Sequence, residues 1–153
     1  MTKNRAQLLF GLPPNFYKRR KLLLDIADGV LSKISPKIIF RRALPELDWS
    51  SFEKIAVFSI GKAAKEMAHV ISSQLPRKPD IILLADRGHP LPTKEGLART
   101  QKIISAARSL GERDLAIVLI SGGGSSMFVS PISGISLKDK IRTTAMLLRC
   151  GAT

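Results

Sequence analysis

Three short segments concentrate the residues of this chain that could do chemistry: Gly61-Lys62, Asp86-Arg87-Gly88-His89-Pro90 and Ser121-Gly122-Gly123-Gly124-Ser125-Ser126. The third is the most informative. Consecutive glycines let backbone N–H groups turn toward one point, and no side chain blocks a close approach. Serine hydroxyls add donors, so the loop can cradle a phosphate or a carboxylate. It is not a Walker A loop, because no Gly-Lys-Ser/Thr ends it, and Met127 stands where the dinucleotide fingerprint has its third glycine. Gly61 permits close backbone approach, and Lys62 opens a helix, where the dipole disfavours a cation by about 0.3–1 kcal/mol. A lysine there makes sense opposite an anionic ligand, and reads equally well as a solvated surface residue. His89 could donate to a phosphate or act as an acid or base, and fits an ordinary polar loop residue too. Two separated histidines and one cysteine point to no zinc site, and Ser125 lacks the Gly-x-Ser-x-Gly setting of a nucleophile.

The elements that must position these segments are legible as well. Apolar runs at Ile55 to Ile60, Ile81 to Ala85 and Leu115 to Ile120 are strand-sized and lack polar alternation, as in a parallel sheet covered on both faces. Each is followed by a helical pattern. Ala63, Met67, Ile71 and Leu75 mark the first. The second runs from about Thr93 to Leu110, with Leu97, Ile103, Ile104 and Ala107 inward. The third spans about Leu137 to Cys150, capped by Ser136 with Asp139 three residues on, and its apolar face is Ile141, Ala145 and Leu148. Ahead of the strands, Asn15 would cap a helix to about Ser32, leaving Lys18 to Lys21 in exposed first turns. Pro36 opens a second helix that Pro45 ends. Right-handed crossovers then give a three-layer, Rossmann-like α/β unit preceded by N-terminal helices. In such a sheet the loops after the strands emerge at one edge, where ligands bind, and those loops are the three segments named above.

Length suits one domain of 153 residues. The net charge of +13 admits nucleic acid, a phosphorylated small ligand, or acidic residues elsewhere in a larger protein. Aromatic side chains are scarce and do not interleave with Lys18 to Lys21, so nucleic-acid binding ranks below the other two. No apolar run reaches the length of a membrane span, the first residues lack a signal-peptide pattern, and Cys150 is single. The expectation is a cytoplasmic protein.

Taken in order, the segments resemble the glycerate 2-kinase family, the type with a second, C-terminal domain. The resemblance rests on Ile60-Gly61-Lys62-Ala63-Ala64 with Met67-Ala68, and on Gly88-His89-Pro90-Leu91-Pro92 with Glu95-Gly96-Leu97. It continues through Leu119 to Ser126, Pro131, Gly134, Leu137 to Lys140 and Leu147 to Ala152. It runs from about Tyr17 onward. It implies ATP-dependent phosphorylation of D-glycerate to 2-phosphoglycerate with a divalent metal such as Mg2+. Lys62 would be catalytic. Gly61, His89 and Ser121, Gly122, Gly123, Gly124, Ser125 and Ser126 would hold the nucleotide. The stretch from Leu75 to Gly88 is shorter than the family's. The chain stops after a helix with three strands made, so the resemblance also implies that residues 1–153 are the N-terminal part of a larger α/β domain. Such a part would be inactive alone and would work with a polypeptide supplying the C-terminal portion. A non-catalytic phosphosugar or nucleotide module is the alternative, and a basic nucleic-acid-binding fragment a more distant one.

Overall fold

A computed structural model describes residues 11 and 13–151 and divides the chain into two compact units, residues 1–42 and 43–153. In the first unit, α1 spans Pro14–Lys33 and α2 Pro36–Ala43, the latter ending one residue inside the second unit. Pro13, not Asn15, is the N-cap of α1, with Pro14 in the first turn. Proline's fixed φ suits that position and its missing N–H costs nothing there, so the two prolines set the start ahead of Asn15. Lys18 to Lys21 are exposed as expected, and so are the apolar side chains Leu22, Leu23, Ile26, Val30 and Leu31, which recur at helical spacing.

In the second unit a 3-10 turn at Trp49–Ser51 leads into β1, Ile55–Ile60. Then come α3, Ala64–Gln74, β2, Ile81–Ala85, and α4, Lys94–Arg108. The unit continues with β3, Leu115–Ile120, a single helical turn α5 at Gly124–Met127, and α6, Leu137–Arg149. The three strands are parallel in the order β2-β1-β3. Every residue of central β1 is buried, which accounts for its unbroken apolar run. Passing from β1 to β2 and from β2 back across to β3 reverses direction along the sheet. Right-handed crossovers therefore set α3 on one face and α4 on the other, giving the helix–sheet–helix layering read from the sequence.

The α4 face is a cluster of Ala56, Phe58, Ile60, Ala85 and Ile103, with Leu83, Ala106, Leu110 and Phe128 packed against it. On the opposite face lie the alternate residues Ile55, Val57 and Ser59, and α3 contributes buried Ala64, Met67, Ala68 and Ile71. The inward face of α4 is Gly96, Thr100 and Ile103, not Leu97, Ile104 and Ala107, of which Ala107 is exposed. The rotation has two causes. A Cβ at residue 96 would stand 2.7 Å from the Arg87 carbonyl oxygen, so only glycine lets α4 come so close to the second loop. Buried Thr100 Oγ1 donates to the Gly96 carbonyl (2.9 Å) and accepts from the Val129 N–H (3.0 Å), which satisfies its hydroxyl inside the core.

In α6 the capping box is present, with Ser136 Oγ accepting from the Asp139 N–H and the Asp139 carboxylate accepting from the Ser136 N–H. Its apolar pattern finds less cover than its spacing predicts. Ile141 and Ala145 are half-buried, while Met146, Leu147 and Leu148 are exposed. The same holds at β3, where Val118 and Ile120 are 53 % and 71 % exposed although their register partners Phe58 and Ile60 are buried.

Candidate anion site at the switch point of the sheet

Strand register places the three loops side by side, because Ile60 lies level with both Ala85 and Ile120. Gly61, Asp86 and Ser121 therefore leave the sheet at the same height. They lie at the carboxyl edge of the sheet, the place where open parallel sheets receive ligands.

Backbone and hydroxyl bonds lace the β1 and β3 loops together. The Gly61 N–H donates to the Ala85 carbonyl (2.9 Å), the Lys62 N–H to the Gly122 carbonyl (3.0 Å), and the Ser121 N–H to the Ile60 carbonyl (2.9 Å). Ser121 Oγ donates to the same Ile60 oxygen (3.1 Å) and accepts from the Ala63 N–H (3.0 Å). The approach is so close that a Cβ on residue 61 would lie 2.5 Å from both Ser121 O and Ser121 Oγ. Gly61 also has φ +105°, a conformation that side chains resist. Ser121 is thus a latch between two loops, with both hydrogen-bonding roles of its hydroxyl filled.

The glycine-rich segment is a turn running into a helix rather than an open loop. Gly123, at φ +86°, caps the one-turn α5, and Gly124 to Ser126 form most of that turn. A rise into helix directly after the glycines aligns successive N–H groups, and the first N–H groups of a helix lack intrahelical acceptors. Among the described residues, no acceptor meets the N–H groups of Gly122, Gly123, Gly124 and Ser125. Ser126 Oγ is turned inward to the Gly123 carbonyl (3.0 Å), and Ser125 is exposed.

Lys62 lies one residue before Ala63, the N-cap of α3, rather than within its first turn. Its side chain is exposed, and among the described residues it forms no ion pair. Its stem passes over the glycine turn. A Cβ on residue 123 would come within 3.4 Å of Lys62 Cγ, 3.5 Å of Lys62 Cε and 3.3 Å of His89 Nδ1. Gly123 is therefore the point on which the three sequence segments converge, with Lys62 from the first and His89 from the second. His89 Nδ1 is 3.4 Å from Ser126 Oγ.

The other polar residues of the second loop turn elsewhere. Asp86 Oδ1 is buried 3.0 Å from Arg99 Nη1, an ion pair off hydrogen-bonding alignment, and Arg87 lies near Asp86 and Glu95. Arg99 also pairs with Glu95 at 2.9 Å. Sequence reading missed Thr100 and Gly96. Thr100 holds Val129 and hence the exit of α5, and Gly96 lets α4 approach the loop that carries His89. A threonine and a glycine inside an otherwise good helical pattern, where both are poor formers, were the available signal.

The fold and the placement of these groups define an open parallel α/β protein with N–H donors, a lysine and a histidine gathered at the carboxyl edge of its sheet, where such sheets receive ligands. The chain belongs to the family described as Domain of unknown function (DUF4147), whose model matches residues 22–153. It is homologous to a D-glycerate 2-kinase of Thermotoga maritima, 27 % identical over 150 residues that cover 88 % of this chain and 35 % of the relative. An Agrobacterium vitis protein whose name assigns it to hydroxypyruvate reduction is 31 % identical over 157 residues, covering 91 % and 34 %. The crystal structure of glycerate kinase from T. maritima superposes with a TM-score of 0.64 at 25 % identity, over 89 % of this chain and 36 % of that one. The chain thus spans about a third of the length of the relatives it matches.

Proposed function

We propose that this chain forms one wall of a site that transfers the γ-phosphoryl group of ATP to the 2-hydroxyl of D-glycerate, giving 2-phosphoglycerate. The observation that carries the reading is the convergence of Lys62, His89 and four acceptor-free N–H groups on Gly123. Phosphoryl transfer asks little covalent chemistry of a protein. It asks for positioning, and for donors and cations against the transferring oxygens. The N–H groups of Gly122 to Ser125 and the hydroxyl of Ser125 would receive phosphate oxygens, with Lys62 adding its charge. Gly61, Ser121 and Ser126 would shape that cradle rather than touch the ligand. The basic charge of the chain, +13, favours a polyphosphate over a neutral ligand. The names of several relatives support the choice of glycerate and of a kinase. Hydride transfer, the alternative that two relatives' names raise, has no dinucleotide fingerprint here, since Met127 replaces its last glycine.

Kinases of this chemistry use a divalent metal bridging phosphate oxygens. Among the described residues no three histidine, cysteine, aspartate or glutamate side chains are grouped to hold one, and Asp86, nearest in the chain to this edge of the sheet, is taken by Arg99. The described residues do not form a metal site, so no step is assigned to a metal held by them. In this reading residues 1–153 are the N-terminal part of a larger catalytic domain, and a polypeptide carrying the remaining length of the relatives completes the cleft.

Calorimetry with ATP tests the cradle, and ADP release with D-glycerate tests the reaction, on the chain alone and with that polypeptide. Lys62→Ala should weaken ATP binding by about 1.5–3 kcal/mol, the size of a charge-assisted contact, with the melting temperature unchanged. Transfer to glycerate should appear only in the completed assembly. Unaltered ATP affinity in Lys62→Ala would return the lysine to the solvated surface. Binding without transfer in the assembly would leave a non-catalytic nucleotide module.

A further inference from the structure

Ser126 and His89 are in contact, and the hydroxyl's second neighbour bears on which proton lies between them. Ser126 Oγ lies 3.0 Å from the Gly123 carbonyl oxygen. That oxygen has no proton of its own, and it already accepts from the N–H groups of Ser126 and Met127 at 3.3 and 3.1 Å. Two oxygens at this distance attract only if the hydroxyl proton lies between them, so the one proton of Ser126 is committed to Gly123. Ser126 is only 9 % exposed, which leaves its hydroxyl few other partners. What Ser126 offers His89 Nδ1, 3.4 Å away, is a lone pair. The contact is favourable only if Nδ1 carries the proton, and a neutral imidazole then has none on Nε2. Nδ1 faces the glycine turn, while the ring as a whole is exposed, so Nε2 is the free nitrogen.

We propose that Ser126 holds His89 in its Nδ1–H tautomer, making Nε2 the proton acceptor for the hydroxyl that is phosphorylated; this rests on the phosphoryl-transfer reading above. In the step, the O–H bond of the acceptor hydroxyl breaks and its proton passes to Nε2. The freed oxygen forms a bond to the γ-phosphorus of ATP. The bond from that phosphorus to the bridging oxygen breaks with its electron pair, leaving ADP, and the imidazolium returns its proton to solvent. His89 is then a proton acceptor rather than a phosphate donor, and Ser126 is a positioning residue that acts through it.

Long-range 1H–15N correlation spectra of the 15N-labelled chain, recorded at mildly alkaline pH, read the tautomer directly. The chain has two histidines, and His69→Gln removes the other, exposed one from the spectrum. His89 should carry its proton on Nδ1. Ser126→Ala should lose that preference, and Ser126→Thr should keep it. A proton on Nε2 in the unaltered chain, or an identical tautomer in Ser126→Ala, overturns the proposal. Where Ser126→Ala does not fold, the spectrum of the unaltered chain still decides. In the completed kinase, His89→Gln should lower kcat by about 10²–10⁴-fold, the usual worth of a positioned base, with the KM for ATP retained. A rise in that KM with kcat intact would make His89 a phosphate donor and overturn the assignment. An unaltered assembly that transfers nothing to glycerate is failure of the phosphoryl-transfer reading. Transfer with His89 protonated on Nε2 is failure of this proposal alone.

Discussion

Gly61 is the residue on which the site's geometry depends most directly. Its positive φ and the 2.5 Å separation between a notional Cβ and Ser121 leave no room for a side chain. The obstacle is backbone and a bonded hydroxyl, neither of which can swing aside. Gly61→Ala should therefore destabilise the chain by at least the ~1–3 kcal/mol of a strained left-handed residue. Urea denaturation checks this, and a midpoint within error of the unaltered protein would mean that the two loops can separate freely. Gly123 has a similar positive φ but meets side chains, Lys62 and His89, at 3.3–3.5 Å. Its neighbours are side chains rather than backbone, so Gly123→Ala should carry the same positive-φ strain without the severe clash of Gly61→Ala, and should disturb the cradle as well.

At the scale of elements, Thr100 ties α4 to the segment that follows α5. Its hydroxyl is the acceptor for the buried Val129 N–H. Thr100→Val keeps the shape of the side chain and removes that acceptor, leaving a buried donor unsatisfied at a cost of about 1–3 kcal/mol. A thermal melt should fall accordingly, and amide exchange at Val129 should quicken; protection unchanged at Val129 would deny the bond its role. The capping box of α6 adds a dependence on pH. The Ser136 hydroxyl, and then its backbone N–H, hold the Asp139 carboxyl below the ordinary carboxylate range. A carboxylate with a depressed folded value contributes stability above its unfolded value and loses it as pH falls through the folded one. Asp139→Asn should thus weaken α6 at neutral pH and make no difference in acid below that range. Circular dichroism of the two proteins across the acid limb tests the sign. A difference that persisted in acid would show that the cap does not depend on the charge.

The whole molecule presents apolar surface at an unpaired strand. Val118 and Ile120 project from β3, which among the described residues pairs only with β1, on the face where Phe58 and Ile60 are covered. A parallel edge with exposed β-branched residues is a template for another strand. Against association stands a net charge of +13, whose repulsion salt screens. The purified chain should therefore self-associate more as ionic strength rises, and Val118→Lys should suppress this by placing a charge on the edge. Light scattering against salt decides the matter. Association that fell with salt, or that Val118→Lys left unchanged, would place the contact elsewhere. The polypeptide that completes the proposed cleft should compete with this association if it also covers β3.

The sequence by itself determined what is local. Apolar runs without alternation made the three parallel strands, the Ser136–Asp139 spacing made a cap, and glycines after strands marked the turns. These follow from backbone dihedrals and side-chain period, which neighbours in the chain dictate. The resemblance, carried by Gly61-Lys62, Gly88 to Pro92 and the Ser121 to Ser126 segment, agrees with the family match and with the kinases of similar fold. What tertiary structure alone decided is which groups meet and which are already spent. Ser121 and Ser126 read alike in the sequence, yet the first locks two loops and the second turns to His89. Asp86 and His89 share a loop, and only the fold gives one to Arg99 and the other to the glycine turn. The inward face of α4 moved to Gly96 and Thr100 because a helix rotates to satisfy a buried hydroxyl and a close backbone contact, and both partners are distant in sequence. Such partners are fixed by strand order and register, which no window of residues contains.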